Sequence, residues 1–332
     1  MSADTERTCH ALLRLLLPHR RPVGSPGPTA EVYGHTPEAC FPEQLDVLRA
    51  FVRADAPILL TLPAFPCKSP NPAKVTGALP DLGELLSLRF LDDLCARIAD
   101  LHPPGARLLI CSDGHVFGDL VGVSDQRVDA YAVALRRMIA DNGLRHLDTF
   151  GLDAVWGSLG YDRKRALLER EFAEPMEILR EEVRSGGPAL AHYRGMIRFL
   201  VEDTYDWTGS KAQLQQDCRR RAYGVLRRSR AWANLIAQHH PGSLRLSIHP
   251  QPCGSPKFGI SLLEAEDNWL TPWHSVVVQT GTNRFRLMKR REAERVAIPA
   301  GPSANPSHYI AAEAPDTMPA PRADLRLAPG RA

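Results

Sequence analysis

The sequence predicts an α/β fold, with a Rossmann-like, open, mostly parallel sheet flanked by helices in a single main domain. Two observations support this prediction. Short apolar runs typical of buried strands alternate along the chain with segments of helical periodicity. The chain has 332 residues, 44% hydrophobic and 24% charged, which is an ordinary globular composition and enough for one large core.

Four apolar runs predict buried strands, because each is short and ends abruptly in polar, glycine or proline residues. They cover residues 58–62, 107–111, 147–150 and 244–248. A later strand, 275–280, leads into Gly281-Thr282-Asn283, which predicts a turn and then another strand through Phe285 and Leu287.

Apolar residues at three- and four-residue spacing predict helices between these strands. They cover residues 82–101, 131–139, 163–183 and 214–238. Pro175 is expected to break or kink the third helix, since proline has no N–H to donate.

The two ends of the chain differ in composition from its middle. Residues 1–42 predict a short helix followed by a Pro- and Gly-rich leader, and 43–298 form the predicted α/β domain. Residues 299–332 are rich in proline and alanine and predict a disordered tail.

The charge distribution argues against several classes of partner. The net charge of +3 is the small difference between 41 basic and 38 acidic residues, and no nucleic-acid reader motif occurs. The arginine-rich stretch 219–230 predicts a solvated helix surface. No apolar stretch is long enough to cross a bilayer and no targeting signal is recognised, so we expect a cytoplasmic protein without a nucleic-acid or membrane partner.

The seven cysteines are scattered and form no C-x-x-C pair, which argues against a zinc knuckle or a thioredoxin-like site. They predict reduced thiols, as in a cytosolic protein. Neither G-x-G-x-x-G nor G-x-x-x-x-G-K-[ST] occurs, so a dinucleotide or P-loop nucleotide site is unsupported.

Polar segments follow three of the predicted strands. They are residues 63–72, Ser112-Asp113-Gly114-His115 and His249-Pro250-Gln251. Ligands of open α/β sheets bind outside the carboxyl ends of the strands, so these segments predict one shared crevice.

The loop over residues 63–81 contains five prolines and is expected to be stiff. It presents Lys68, Ser69 and Lys74, which suit a phosphate or carboxylate ligand. The alternative is a surface linker.

Asp113 follows a strand and is a candidate general base, or a residue that orients a substrate amine. Ser112-Asp113-Gly114 is equally common as a turn and helix cap, and the local sequence does not decide between these readings. Phe117 and Asp119 lie just beyond and are candidate substrate contacts.

Arg194 and Arg198 lie in a predicted helix with Glu202 and Asp203. Arg198 and Glu202 have the spacing of an exposed ion pair. The apolar residues between them indicate a buried helix, where an arginine needs an anionic partner such as a substrate phosphate or carboxylate.

Arg245, Ser247 and His249 alternate along one strand and therefore share a face. With Lys257, Trp273 and His274 near them in the sequence, they predict the wall of a polar pocket, although a single histidine is more often structural. His249, His274 and Asp113 match no known metal-ligand spacing, so no metal is predicted.

Five long segments resemble the signature blocks of the pyoverdine/dityrosine biosynthesis family, whose best-understood members are isonitrile synthases. They are LPAFPCKSPNPAKVTGALPDLGELLSL (62–88), PPGARLLICSDGHVFGDLVGV (103–123), YRGMIRFLVEDT (193–204), RLSIHPQPCGSPKFGISLL (245–263) and TPWHSVVV (271–278). The blocks occur in the expected order, and the resemblance spans about residues 40–285.

The resemblance implies a reaction without metal or redox cofactor in natural-product biosynthesis. The amine of an L-amino acid condenses with the C2 ketone of ribulose 5-phosphate, and the amine becomes an isocyanide. An N-formyl product, or a protein that binds a phosphosugar or an amino acid without turnover, are the alternatives. A tailoring oxygenase is a possible downstream partner; the amino acid itself is not specified.

The implied chemistry assigns candidate roles to the residues above. Asp113 or His249 would take the proton of the amine. His249, His274 and Ser112 would move protons or stabilise enol intermediates. Candidate cations for the phosphate are Lys68, Arg198, Arg245 and Lys257.

Overall fold

The computed structural model describes residues 3–21, 37–265, 270–301 and 306–311. A central sheet of five parallel strands has the order β3-β2-β1-β4-β5. Its strands are β1 (Ile58–Pro63), β2 (Ala106–Cys111), β3 (Leu147–Phe150), β4 (Leu244–Ser247) and β5 (Phe258–Gly259). The predicted α/β class, the parallel sheet and the positions of its four longer strands are confirmed.

Helices surround this sheet, as in other parallel sheets whose two faces are both covered. They are α1 (Ala3–Leu16), α2 (Pro37–Cys40), α3 (Pro42–Ala54), α4 (Leu82–Ala99), α5 (Gly114–Val121), α6 (Asp125–Asp141), α7 (Leu152–Trp156), α8 (Tyr161–Phe172), α9 (Met176–Ser185), α10 (Gly187–Asp203), α11 (Lys211–His239) and α12 (Arg290–Val296). The predicted break at Pro175 separates α8 from α9. No helix of the described residues is long and apolar enough to cross a membrane.

The register of the central strands sorts their side chains between two faces. Leu60 of β1 pairs with Leu108 of β2 and Leu244 of β4, and all three are buried in the main core. Thr61, the next residue, pairs with Arg245 and therefore faces the other side of the sheet. Polar residues on β1 and β4 thus lie together on one face.

A second, smaller sheet has the order β6-β8-β7-β10-β9. Its strands are β6 (Glu264–Ala265), β7 (Val276–Gly281), β8 (Arg284–Met288), β9 (Ala297–Ala300) and β10 (His308–Ala311). The predicted hairpin of β7 and β8 is confirmed. Disorder from residue 299 onwards is wrong for the described part of the tail, because Tyr309 is buried and pairs with Val278 and Pro299. The remainder of the predicted tail lies outside the described residues.

The predicted N-terminal helix packs into the main core through Cys9, Leu12, Leu13 and Leu16. Most of the Pro- and Gly-rich leader, residues 22–36, lies outside the described residues.

The expectation that all cysteines are reduced thiols is wrong for one pair. Cys40 and Cys253 form a disulfide across 213 residues of sequence, with 4.6 Å between their Cα atoms. The other five cysteines are free and buried. The two partners of the disulfide carried no recognisable spacing, because they meet only in the folded chain.

The arginine-rich stretch on α11 is a second correction, since it is not simply a solvated surface. Arg227 and Arg228 are half-buried and contact Glu169 of α8 at 2.6 and 2.5 Å, and Arg230 contacts Glu174 at 2.6 Å. These ion pairs join α11 to α8 and to the segment before α9.

Candidate active site

The carboxyl ends of β1, β2 and β4 meet at one edge of the central sheet, as parallel neighbours must. Asp113 follows β2 and His249 follows β4, while the loop 64–81 follows β1. The C-terminal half of α10 faces this edge, because Phe199 contacts the ring of His274 with 5.0 Å between ring centroids. The three segments predicted to share a crevice therefore lie at one edge of the sheet, with the C-terminal half of α10 beside them, and we call this region the crevice.

The loop after β1 is an ordered part of this crevice and not a surface linker. Its backbone is left-handed at Phe65, with φ of 57°, and the Ser69 N–H donates to the carbonyl of Trp273 at 2.8 Å. The Asn71 side chain donates to the carbonyl of Glu202 at 2.8 Å. Left-handed backbone at a bulky residue is strained, and such strain often accompanies functional sites.

Lys68 is buried beneath the crevice and its charge is already matched. Its Nζ lies 2.7 Å from Asp81 and 2.8 Å from Glu84, and it donates to the carbonyl of Pro272 at 3.0 Å. Burial opposes the charge, but the attraction of Glu84 and Asp81 outweighs it and raises the pKa of Lys68. The structure gives this lysine the surroundings of a structural cation.

Lys74 is also matched by carboxylates, in this case from α10. Its Nζ lies 2.5 Å from Asp203 and 3.1 Å from Glu202, and 5.1 Å from the centroid of the Phe199 ring. Burial raises the pKa of Asp203, and the attraction of Lys74 offsets part of this effect. Ser69 is buried in the same loop.

The side chain of Asp113 does not cap a helix. It occupies the N-cap position of α5, yet its side chain makes no capping hydrogen bond. Its Oδ1 is buried without a hydrogen-bond partner in the described part of the chain. Burial raises the pKa of Asp113 to about 7. A carboxyl group that exchanges a proton near neutral pH is suited to general acid–base chemistry, which favours the functional reading.

The neighbours of Asp113 have different surroundings. Ser112 Oγ donates to the carbonyl of Phe65 at 3.1 Å, which joins the ends of β2 and β1. Phe117 is half-buried among apolar residues. Asp119 is exposed and contacts Arg228 at 2.6 Å, so the structure does not bring it to the crevice.

His249 lies at the edge of the central sheet, directly after β4. Its side chain is accessible to solvent, yet the protein around it lowers its pKa to about 4 because burial disfavours the charged ring. The positive charges of His192, Arg21 and Lys257 add to this effect. At neutral pH the ring is uncharged and can both accept and donate a proton.

His274 is a second neutral imidazole in the crevice. Burial lowers its pKa to about 3, and the charges of Lys74, Lys68 and His249 add to the shift. Its Nδ1 lies 3.1 Å from Thr271 Oγ1, which orients the ring and leaves Nε2 for another partner.

Arg245, Ser247 and Lys257 line the end of the crevice at β4 and β5. Ser247 Oγ accepts hydrogen bonds from the His249 N–H at 3.1 Å and from Gln251 Nε2 at 3.2 Å. Arg245 and Lys257 are half-buried. Arg245 and Ser247 of β4, His249 just after it and the predicted Lys257 therefore do come together.

The two predicted arginines of α10 do not join them. Arg194 and Arg198 are exposed, and neither lies on the helix face that carries Phe199, which contacts His274. The crevice-facing positions are instead His192, Phe199 and Asp203, seven and four residues apart. The sequence analysis did not predict His192, although this spacing places it on the same helix face as Phe199 and Asp203.

Trp273, predicted to lie in the wall of the pocket, lies behind the loop after β1. Trp273 is buried and packs on Phe65 with 5.1 Å between ring centroids, so it supports the loop after β1 from behind. Trp156 packs against Phe172, and Trp207 is exposed. Among the described residues, no group of three or more His, Cys, Asp or Glu side chains is arranged to hold a metal ion.

Comparison with known proteins identifies the family of this chain. Residues 48–299 match the family model described as pyoverdine/dityrosine biosynthesis protein. The chain is 47% identical over 277 residues to an L-tyrosine isonitrile synthase of Pseudomonas aeruginosa, covering 80% of this chain and 83% of that protein. It is 38% identical over 305 residues to an L-tryptophan isonitrile synthase of Fischerella ambigua, covering 91% and 94%.

The fold has a solved counterpart as well. The crystal structure of the PvcA protein from Pseudomonas aeruginosa is similar to this chain with a TM-score of 0.82 and 42% sequence identity, covering 91% of this chain and 99% of that one. Sequence and structure thus agree over most of the molecule, and the chain belongs to the isonitrile synthases of the pyoverdine/dityrosine biosynthesis protein family.

Proposed function

We propose that this protein converts the amine of an L-α-amino acid into an isocyanide, with ribulose 5-phosphate as the carbon donor and without a metal or redox cofactor. Membership of the isonitrile synthase family supports the product. The observation that carries the assignment of the site is the carboxylate of Asp113, whose buried Oδ1 has no hydrogen-bond partner among the described residues and whose pKa is raised to about 7.

The first step requires a neutral amine, because a protonated amine has no lone pair with which to attack. Asp113 takes this proton as general base, a task that suits a carboxylate whose pKa lies near neutral pH. The amine nitrogen then adds to the C2 ketone of the sugar phosphate, and loss of water leaves an imine. Asp113 returns the proton as the oxygen departs.

The later steps move protons between carbon and oxygen before phosphate leaves and a carbon–carbon bond breaks. His249 and His274 serve these transfers, since burial keeps both rings neutral and therefore able to give and accept a proton. His249 contributes to the lowered pKa of His274, which supports a shared role for the two rings. The carbon that remains on nitrogen becomes the isocyanide carbon.

The direct test uses the purified full-length protein with ribulose 5-phosphate and the common L-amino acids, beginning with tyrosine and tryptophan, on which the relatives act. A tetrazine captures any isocyanide, and the adduct is identified by mass. We expect an adduct only when the sugar phosphate is present. A sugar-dependent formylated amino acid would instead indicate the N-formyl reaction, and ligand binding without any product would indicate a binding protein.

Asp113→Asn is the matched control for this experiment. It removes the base and keeps the size of the side chain, so we expect product formation to fall at least about 100-fold. Unchanged product formation by this variant would remove Asp113 from the mechanism. Asp119→Asn changes a carboxylate that the structure places outside the crevice and is expected to retain activity.

A further inference from the structure

The end of the crevice at β4 and β5 holds two positive charges that form no ion pair with a carboxylate of the described residues. Leu246 pairs with Phe258 in the parallel register of these strands. Arg245 and Lys257 each stand one residue earlier and therefore lie side by side on the same face. Neither forms an ion pair within the described part of the chain, although both are half-buried.

Burial disfavours the positive charge of both side chains. Burial lowers the pKa of Arg245, against which only the more distant Glu43 acts. Burial also lowers the pKa of Lys257, and the charge of Arg245 lowers it further. Two like charges that share a partly buried site are unfavourable until an anion joins them.

The other cations of the crevice are not in this position. Lys68 is matched by Asp81 and Glu84, and Lys74 by Asp203 and Glu202. Positive charge is therefore available to a ligand at the β4 and β5 end, whereas the end near Asp113 offers carboxylates.

His192 completes this end from the other wall. It lies on the face of α10 that also carries Phe199 and Asp203, and burial lowers its pKa, with Arg230 and Lys257 adding to the shift. His192 in turn lowers the pKa of His249, so these side chains share one electrostatic environment. His192 also lines an open groove of about 760 Å³ beside α9.

We propose that Arg245, Lys257 and His192 form the subsite for the phosphate of the sugar substrate; the identity of the ligand rests on the proposed function. A phosphate monoester carries close to two negative charges at neutral pH and matches both cations, whereas a single carboxylate matches only one. Binding the phosphate here directs the rest of the sugar towards His249 and Asp113. The carboxylate-lined end of the crevice then receives the amine.

Inorganic phosphate is the probe for this subsite, and calorimetric titration of the full-length protein measures its affinity without turnover. We expect Lys257→Met and Arg245→Met each to weaken phosphate binding at least about tenfold, because each removes a charge-assisted contact. Lys257→Arg keeps the charge and is expected to bind within about threefold of the unmodified protein. Arg198→Met removes an exposed arginine that does not share the helix face of His192 and Phe199, and it serves as the matched control.

The outcomes separate the subsite from the reaction. Loss of phosphate binding in the Met variants supports the subsite even if the protein forms no isocyanide. Unmodified protein that does not bind phosphate, or Met variants that bind it equally well, would overturn the subsite. If the reaction occurs, Lys257→Met and His192→Asn should raise the KM for ribulose 5-phosphate more than they lower kcat. An unchanged KM in both variants would overturn the assignment while leaving the reaction in place.

Discussion

Gly114 lies directly against the backbone carbonyl of Pro66, with no room for a side chain between them. A Cβ at residue 114 would overlap with that carbonyl oxygen and would stand 2.6 Å from Val128 Cγ1. This contact joins the residue after Asp113 to the loop after β1. The position of the candidate base therefore depends on a glycine that allows two strand ends to approach each other.

Gly114→Ala is expected to push these strand ends apart. The overlap involves backbone, which cannot move aside as a flexible side chain can, so we expect a loss of about 2 kcal/mol or more in unfolding free energy. Activity should fall further than stability explains, because Asp113 moves. Chemical denaturation and the turnover assay measure the two effects.

Gly195→Ala is the control, since nothing lies within 4 Å of its added Cβ and alanine favours the helix. Equal stability of the two alanine variants would contradict this account of Gly114.

The activity should depend on pH through Asp113. Its carboxyl group must be ionised to accept a proton, and its pKa is raised to about 7 by burial. We expect kcat/KM to rise as the pH increases from 6 to 8. A kcat/KM that is level over this range would contradict Asp113 as the base.

The same carboxyl group should lower the stability of the protein at alkaline pH. The folded state binds the proton more tightly than the unfolded state, whose pKa is near 3.8, so unfolding free energy falls as the pH rises from about 4 to 7. The full effect is at most about 4 kcal/mol. We expect Asp113→Asn to be at least as stable as the unmodified protein at pH 8, measured by denaturant titration; a clear destabilisation would argue against the raised pKa.

His274 should affect stability in the opposite pH direction. Burial lowers its pKa from 6.5 to about 3, so the unfolded state takes up a proton between pH 7 and 5 and the folded state does not. This group alone reduces the unfolding free energy by about 2 kcal/mol over that interval. His274→Asn, which keeps an acceptor or donor near Thr271, should weaken the pH dependence by that amount. An unchanged pH dependence would show that the ring titrates normally.

Lys68→Met is expected to lower the stability of the protein, and any loss of activity should follow from that. The substitution leaves Asp81 and Glu84 without the buried cation that contacts both, a change that typically costs about 3–5 kcal/mol. The thermal midpoint and the unfolding free energy should fall together. A stable variant without activity would instead indicate that Lys68 takes part directly in catalysis.

The disulfide between Cys40 and Cys253 links the end of α2 to the loop that follows His249. The same loop is held by a hydrogen bond from Gln44 Nε2 to the carbonyl of Ser255 at 2.9 Å. Under oxidising conditions Cys253→Ser should lower the unfolding free energy by up to about 5 kcal/mol, since the link closes a long loop in the unfolded chain. A reductant should remove the difference between the two proteins, and a difference that persists would show another cause.

The strands could be predicted from the sequence because their signal is local. Apolar runs such as 58–62 and 244–248 are continuous, and a parallel sheet buries such strands on both faces. The shared crevice followed from the same pattern, since the ends of parallel strands meet at one edge. Strands of the second sheet beyond residue 296 were missed because a Pro- and Ala-rich composition masks a pairing that is made with β7.

The residues that could carry the chemistry were also largely visible in the sequence, including Asp113, His249 and His274. Their protonation states and hydrogen bonds could not be predicted from the sequence. Whether Asp113 caps a helix depends on the direction in which its side chain points, and Oδ1 finds no partner only in the folded chain.

The sequence by itself therefore determined the fold class, the strand positions and the residue types at the strand ends, since these depend on neighbours along the chain. Only the tertiary structure decided which charges are matched. Lys74 meets Asp203 across 129 residues, whereas Arg245 acts on Lys257 and neither forms an ion pair within the described ranges. The physical reason is that the energy of a buried charge is set by the groups around it in space, and these are brought together only when the chain folds.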